Sequence, residues 1–304
     1  MNIAKFSIVL GVTLWGLFLN SQFRLILLTI LILSIFLDFA FHSIFKTPLR
    51  RKLMIVANEE PYERRAYSNI SVDNSNLENF IKNYNAKISE DEKIRANMVA
   101  ILAFGRAIKH ANLGKKFVFD NLVETDGVGV FLPVDIAGKD LAVATVQNAE
   151  RETLEGIQKL LRTKVKNLKL QKDKKMNFQL WFLSFFPGFV IDLMLNVAGF
   201  VSYNLGVTIP IVEFKKEHFG CCAVSNISAF SIYDTQGPFV HYARNLMGGT
   251  ICSERKVPVV KNGKIVVEKR AKIGMAFDCR VISPYEEGEF TRELKRIWLH
   301  PEEL

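Results

Sequence analysis

The chain has 304 residues, 49% of them hydrophobic with phenylalanine at 24, and a formal net charge of +9. Its mean hydropathy of +0.13 is high for a purely soluble protein, and its pI is near 9.3. A basic excess of this kind suits nucleic acid, an anionic membrane surface or a phosphate-bearing ligand. No helix-turn-helix, zinc-finger or RNA-binding signature is present, which excludes nucleic acid as a partner.

The distribution of charge points to membrane. Arg50, Arg51 and Lys52 follow one apolar run, and Arg162, Lys164, Lys166, Lys169, Lys172, Lys174 and Lys175 precede another. The cysteines are Cys221, Cys222, Cys252 and Cys279, without C-x-x-C spacing, so no metal site is expected. Adjacent Cys221 and Cys222 read as core residues, and a reducing compartment fits.

Taken in order, the chain opens with apolar runs at Phe6 to Leu19 and Leu25 to Phe45. The second is long enough to span a bilayer. No small-residue cleavage site follows Leu19, so residues 1–46 predict an uncleaved transmembrane anchor, one span or a helical hairpin. Lys5, Lys46, Arg50, Arg51 and Lys52 place the main domain, residues 47–304, on the cytoplasmic or matrix-like reducing side.

Tyr67 to Val72 predicts a strand, and Leu77, Phe80, Ile81 and Tyr84 have helical spacing behind an Asp73-Asn-Ser75 cap. Ser89-Glu-Asp-Glu92 predicts the start of a longer helix, with Ile94, Met98, Ile101, Leu102, Gly105 and Ile108 on one face. Lys116 to Phe119, Val128 to Val134 and Leu141 to Val146 predict strands, and Glu150 to Lys164 an amphipathic helix.

Met176 to Phe214 is almost uncharged, with a break at Pro187-Gly188. In a helix over Phe189 to Val207, Asp192, Asn196, Gly199 and Tyr203 share one face, with Val190, Leu193, Met194, Val197 and Phe200 away from it. Behind a dense basic cluster such a helix suits the membrane interface; a buried helix or a subunit contact is the plainer alternative.

Gly220 to Ile232 predicts a strand leaving through Ser225-Asn-Ile-Ser228. Lys256 to Val260 and Lys264 to Glu268 pair across Asn262-Gly263, a strong hairpin signal. Ala271 to Ser283 reads as a buried last strand, and Glu286 to Trp298 as a closing helix. The charged step Asp278-Cys279-Arg280 ends that strand. It is either an ordinary Asp–Arg pair at a strand end or a set of reactive groups at the mouth of a core.

Phe277-Asp-Cys-Arg-Val-Ile-Ser283 resembles the D-H-R-V-I-D/N-G signature of the acyltransferase (E2) core of 2-oxoacid dehydrogenase complexes. Val128 to Val146 with Gln147-Asn-Ala-Glu150, Ala223-Val-Ser-Asn-Ile227, the hairpin and the closing helix resemble other segments of that family in its order. The resemblance covers roughly residues 48–304, apart from an insertion near 170–214. It implies a two-layer α/β sandwich of the chloramphenicol acetyltransferase type, a mixed sheet with packed helices.

The resemblance also implies acyl transfer from a coenzyme A or carrier thioester to a thiol or hydroxyl. Such chemistry needs a base for the nucleophile and a donor for the oxyanion. By position Ser225 is the oxyanion donor, Asp278 and Arg280 stand at the orienting positions, and Ser283 replaces the usual Asp or Asn. Cys279 replaces the histidine base. A thiol is no relay equivalent to imidazole, so three readings stand. Cys279 is an acyl-accepting nucleophile beside Arg280, or a small apolar filler in a silent site, or the base comes from elsewhere. Of the histidines, His218 and His241 lie nearest Ser225 in sequence, without a motif.

The family's fold is typically trimeric, so the resemblance implies a homotrimer or higher homo-oligomer and is compatible with a larger membrane assembly. No lipoyl domain or Ala/Pro-rich linker precedes residues 47–304 in this sequence, and the anchor stands in their place.

Overall fold

The computed structural model describes residues 65–304, apart from 87, 120, 137–139, 170–187, 210–213 and 238–242, together with helical positions at 25–26, 28–29 and 32–33. The chain divides into two units: residues 1–64, 117–123 and 279–281, and residues 65–116, 124–278 and 282–304. The expected transmembrane anchor lies outside the described residues except for those six positions, which are exposed. Among the described residues no helix is long and apolar enough to cross a membrane.

The larger unit is built on one long strand. Lys264 to Asp278 forms β9, with β1 (Arg65–Asp73) antiparallel on one side and β7 (Met247–Ile251) antiparallel on the other. Beyond β7 come β6 (Cys222–Asn226), β4 (Val130–Ile136) and β5 (Asp140–Val146), giving the order β1-β9-β7-β6-β4-β5. The β7–β6 and β6–β4 pairs are parallel and the others antiparallel, so the sheet is mixed as expected. Residues 273–278 of β9 are all buried, as a central strand covered on both faces should be.

The expected hairpin and last strand are one element. β8 (Arg255–Lys261) pairs with Lys264 to Arg270, and the same strand continues unbroken to Asp278. The turn between them carries φ of 51° at Asn262 and 73° at Gly263, the two positive values that a type I′ hairpin needs.

Helices α1 (Ser75–Asn85), α2 (Ala96–His110), α3 (Leu154–Lys169), α4 (Gly188–Tyr203) and α5 (Pro284–Leu299) complete the unit. The helix α2 packs between α3 and α5 and over β4 and β6, while α3 lies on β4 and β5 and α5 on β1. This is the second layer. The expected one-sided face of α2 is too narrow, because Val99, Ala100, Ala103, Phe104 and Ala107 are buried as well. Its start is also later than predicted. Glu90–Glu92 is a separate 3-10 turn, and extended Arg95 caps a helix that begins at Ala96.

One contact fixes how closely α2 meets the sheet. The Phe104 ring lies 5.6 Å from Phe290 of α5, and Phe290 lies 5.7 Å from Phe277 of β9. A Cβ on Gly249 of β7 would sit 2.2 Å from Phe104 Cζ, so no larger residue fits beneath that ring. A short β2 (Lys115–Val118) and β3 (Asn121–Glu124) form a separate ladder, of which β3 had no sequence signal.

Candidate functional site

Ser225 is the penultimate residue of β6, half-buried, and pairs in parallel register with Thr250 of β7. Its hydroxyl makes no hydrogen bond among the described residues, so it is available as a donor. The strand exit around it is tightly held. The Asn226 side chain donates from Nδ2 to Asn97 Oδ1 on α2 and accepts the Ser228 N–H at 2.9 Å. Ile227 N–H donates to Ile251 O at 3.0 Å, and Ser253 Oγ donates to Ser228 O at 2.8 Å. Asn97 stands 129 residues from Asn226, too far for any local pattern to announce the pair.

Asp278 closes β9. Its side chain is buried at 4% exposure, its N–H donates to Leu246 O at 2.8 Å, and its carbonyl accepts the Ile282 N–H at 2.9 Å. That last bond closes one helical turn over residues 279–281, which the apolar strand leads into and α5 follows. Arg65 is the register partner of Asp278 on β1.

Within the smaller unit, Cys279 is half-buried and in no disulfide. The Arg280 guanidinium carbon lies 4.4 Å from the centre of the Phe117 ring, a cation–π stack that helps to hold the side chain. Cys279 and Arg280 are both turn residues of this unit.

Ser283 has a structural engagement of its own. It is the N-cap of α5, and its Oγ accepts the Glu286 N–H at 3.4 Å while Glu286 Oε2 takes the Ser283 N–H at 2.8 Å and lies 2.7 Å from its hydroxyl. Ser283-Pro-Tyr-Glu286 has the S-x-x-E spacing of a capping box, with proline at the first helical position. That spacing was the signal for this duty. Lys115 Nζ approaches Glu286 at 3.7 Å and adds a cation to the same corner.

The sheet keeps Ser225 and Asp278 apart within one chain. Ser225, Thr250 and Gly274 share a row, whereas Asp278 lies four residues further along β9. With strands near 4.8 Å apart and a rise near 3.3 Å per residue, the two positions are separated by roughly 16 Å, at opposite ends of the sheet.

The other candidates are accounted for. Cys221 and Cys222 are buried; burial pushes the first thiol up to about 12 and the second well above its ordinary value, so neither is a nucleophile. The His218 ring stacks on Phe214 at 4.4 Å and meets Phe219 edge-on at 4.9 Å, with Nδ1 accepting the Lys215 N–H at 3.1 Å. It belongs to an aromatic cluster. His241 lies outside the described residues. Among the described residues no three His, Cys, Asp or Glu side chains gather to hold a metal ion.

Residues 213–304 match the family model of the 2-oxoacid dehydrogenases acyltransferase (catalytic domain). A probable dihydrolipoamide acetyltransferase from Listeria monocytogenes superposes with a TM-score of 0.57 at 15% identity, over 77% of this chain and 83% of that one. An Azotobacter vinelandii dihydrolipoamide acetyltransferase, studied for a serine, a histidine and an asparagine in its catalytic mechanism, gives 0.56 at 15% identity over 84% and 87%. A chloramphenicol acetyltransferase gives 0.50 at 11% identity over 83% and 96%. No curated protein matches the chain. At these identities the likeness is one of fold, and the expected acyltransferase-type architecture is present.

Proposed function

We propose that the chain moves an acyl group between a coenzyme A or carrier thioester and a thiol or hydroxyl acceptor, at the surface of a membrane. The observation that carries this reading is the coincidence of fold and sequence at one place. The segment that matches the acyltransferase catalytic model contains both the Ser225 strand exit and the Asp278-Cys279-Arg280 turn.

Ser225 donates to the oxyanion of the tetrahedral intermediate from a hydroxyl that no described neighbour occupies. Cys279 exchanges acyl groups as a thiol. Its sulfur attacks the thioester carbonyl, the bond to the leaving sulfur breaks, and the thiol proton passes to the departing thiol. The acceptor then attacks the acyl-Cys279 carbonyl, loses its own proton and restores the thiol. The roughly 16 Å between Ser225 and Asp278 within one chain supports a site shared between copies, and so a homotrimer or higher homo-oligomer. The apolar runs in residues 1–46 anchor the protein, and four cysteines outside any disulfide suit a reducing side of that membrane.

A second reading has a specific observation behind it: the histidine position holds Cys279, and Ser283 is taken up in a helix cap. On that reading the protein is a silent member of the fold and serves as a membrane-bound structural or binding subunit. Calorimetric titration with coenzyme A, followed by transfer assays with acetyl-coenzyme A and several thiols, separates the two. The enzyme reading expects binding, an acyl-Cys279 adduct by mass spectrometry, and loss of transfer in Ser225→Ala. No binding and no effect of Ser225→Ala leaves the subunit reading.

A further inference from the structure

The C-terminal half of α4 turns large apolar side chains to the outside. Several small and polar residues there face the protein instead. Gly199 is buried, Ser202 Oγ donates to Lys215 O at 2.7 Å, and the Tyr203 hydroxyl donates to Gly220 O at 2.9 Å while accepting the Phe219 N–H at 3.1 Å. Asn204, just past the helix, accepts from Arg244 Nη1 at 2.6 Å. The apolar residues face outward: Val197 is 52% exposed, Phe200 37%, and Leu205 and Val207 in the following turn 52% and 50%. In water the opposite arrangement is the stable one.

The rim of this patch is cationic. Arg244 lies 6.0 Å from the Phe200 ring centre, and Lys215 is exposed beside the C-terminal turn of α4. Lys216 is also exposed but is neutralised by Asp126 at 2.6 Å, and Glu217 is buried against Lys116. Ahead of the helix, the stretch 162–175 contains seven Lys or Arg residues and one acidic residue, Asp173.

We infer that the outer face of α4, with Leu205 and Val207, docks into the headgroup layer of a membrane rich in anionic lipid. This rests on the membrane association proposed above and adds a second attachment independent of residues 1–46. An apolar face bordered by cations fits such an interface: the side chains enter the acyl boundary while Arg244 and Lys215 meet the headgroups. The polar contacts of Ser202, Tyr203 and Asn204 fix the orientation of the larger unit on that surface.

The test uses the full chain in a Cys279→Ser background, where Cys221, Cys222 and Cys252 are buried and unreactive. Single cysteines replace Val197, Phe200 and Leu205, with Tyr285→Cys as a control at 74% exposure. Each is labelled with an environment-sensitive fluorophore and placed in phosphatidylcholine vesicles with or without phosphatidylglycerol. Expected is quenching by lipid-borne nitroxide several-fold stronger at the three α4 positions than at 285, increasing with phosphatidylglycerol and falling with salt. In vesicle-bound protein, acrylamide quenching at all three positions equal to that at 285 overturns the inference. So does protection from both quenchers, which would mean cover by a second copy or by residues 1–64. Protein that fails to float with either vesicle overturns the broader membrane reading as well.

Discussion

Ser283 separates the scaffold from the chemistry, because it stands at a signature position yet caps α5. Replacing it with alanine removes the 3.4 Å acceptor of the Glu286 N–H and the 2.7 Å contact with Glu286 Oε2, and leaves the 2.8 Å bond from its own N–H intact. Loss of such a cap costs about 1 kcal/mol, which for a domain of this size lowers Tm by roughly 2–4 °C. Aspartate is an equally good cap and is the residue the resembled signature carries, so Ser283→Asp is expected to hold the wild-type Tm. Glu286→Ala removes the reciprocal half, and the double variant should lose less than the two single losses together, because they share one bond. Thermal unfolding followed by circular dichroism reads all four proteins. An unchanged Tm in Ser283→Ala, or a Ser283→Asp protein no more stable than the alanine variant, refutes the capping argument and returns Ser283 to the list of chemical candidates.

Gly249→Ala forces a methyl group to within 2.2 Å of Phe104 Cζ and is expected to destabilise by about 1–3 kcal/mol in urea titration; much of that loss should be recovered when Phe104→Leu is added. Lys116 and Glu217 form a buried ion pair with side-chain exposures of 10% and 8%. Lys116→Met should therefore cost about 3–5 kcal/mol, and the double replacement by apolar residues distinctly less. The thiols carry a pH signature. Burial pushes Cys221 up to about 12 and raises Cys222 and Cys252 from an ordinary value of 9.0, so the native state keeps protons that the unfolded chain releases. That stability is fully present below pH 9 and is lost as pH rises towards 12, so the urea midpoint should fall progressively once the pH is raised above 9. Iodoacetamide should modify Cys279 in the native protein and all four thiols only after unfolding, as peptide mass spectrometry will report.

Elements whose cause is local were legible. Asn262-Gly263 demands two positive φ values wherever it occurs between strands, and the Cys222–Asn226 and Ser75–Asn85 elements follow from alternation and helical spacing. What failed was mostly decided at a distance. The acidic run Glu90–Glu92 resembles a first helical turn, yet extended Arg95 separates it from α2. Asn85 takes the Ile94 backbone at both ends, its Oδ1 accepting the N–H and its Nδ2 donating to the carbonyl, each at 2.9 Å, and thereby holds the intervening chain as a loop. The face of α2 was drawn too narrowly because a helix between two others and a sheet is buried nearly all round. The Asp278-Cys279-Arg280 turn was visible as a charged end to an apolar strand. The fixing of Asn226 by Asn97, and of Arg280 by Phe117, needed the fold.

The topology also decides how assembly and catalysis can be told apart. β6 and β9 run antiparallel with β7 between them, so Ser225 and Asp278 lie toward opposite strand ends of the sheet. On the acyl-transfer reading proposed above, Ser225 and Asp278 of one copy cannot meet, so a complete site needs residues of a second copy; a head-to-tail contact whose rotation closes would give a ring. The enzyme reading requires such an assembly, and the subunit reading is compatible with it. Sizing the detergent-solubilised protein thus tests the architecture but cannot choose between them. The choice lies with Cys279. If an oligomer forms and no acyl group is found on that sulfur after exposure to acetyl-coenzyme A, the silent-subunit reading stands.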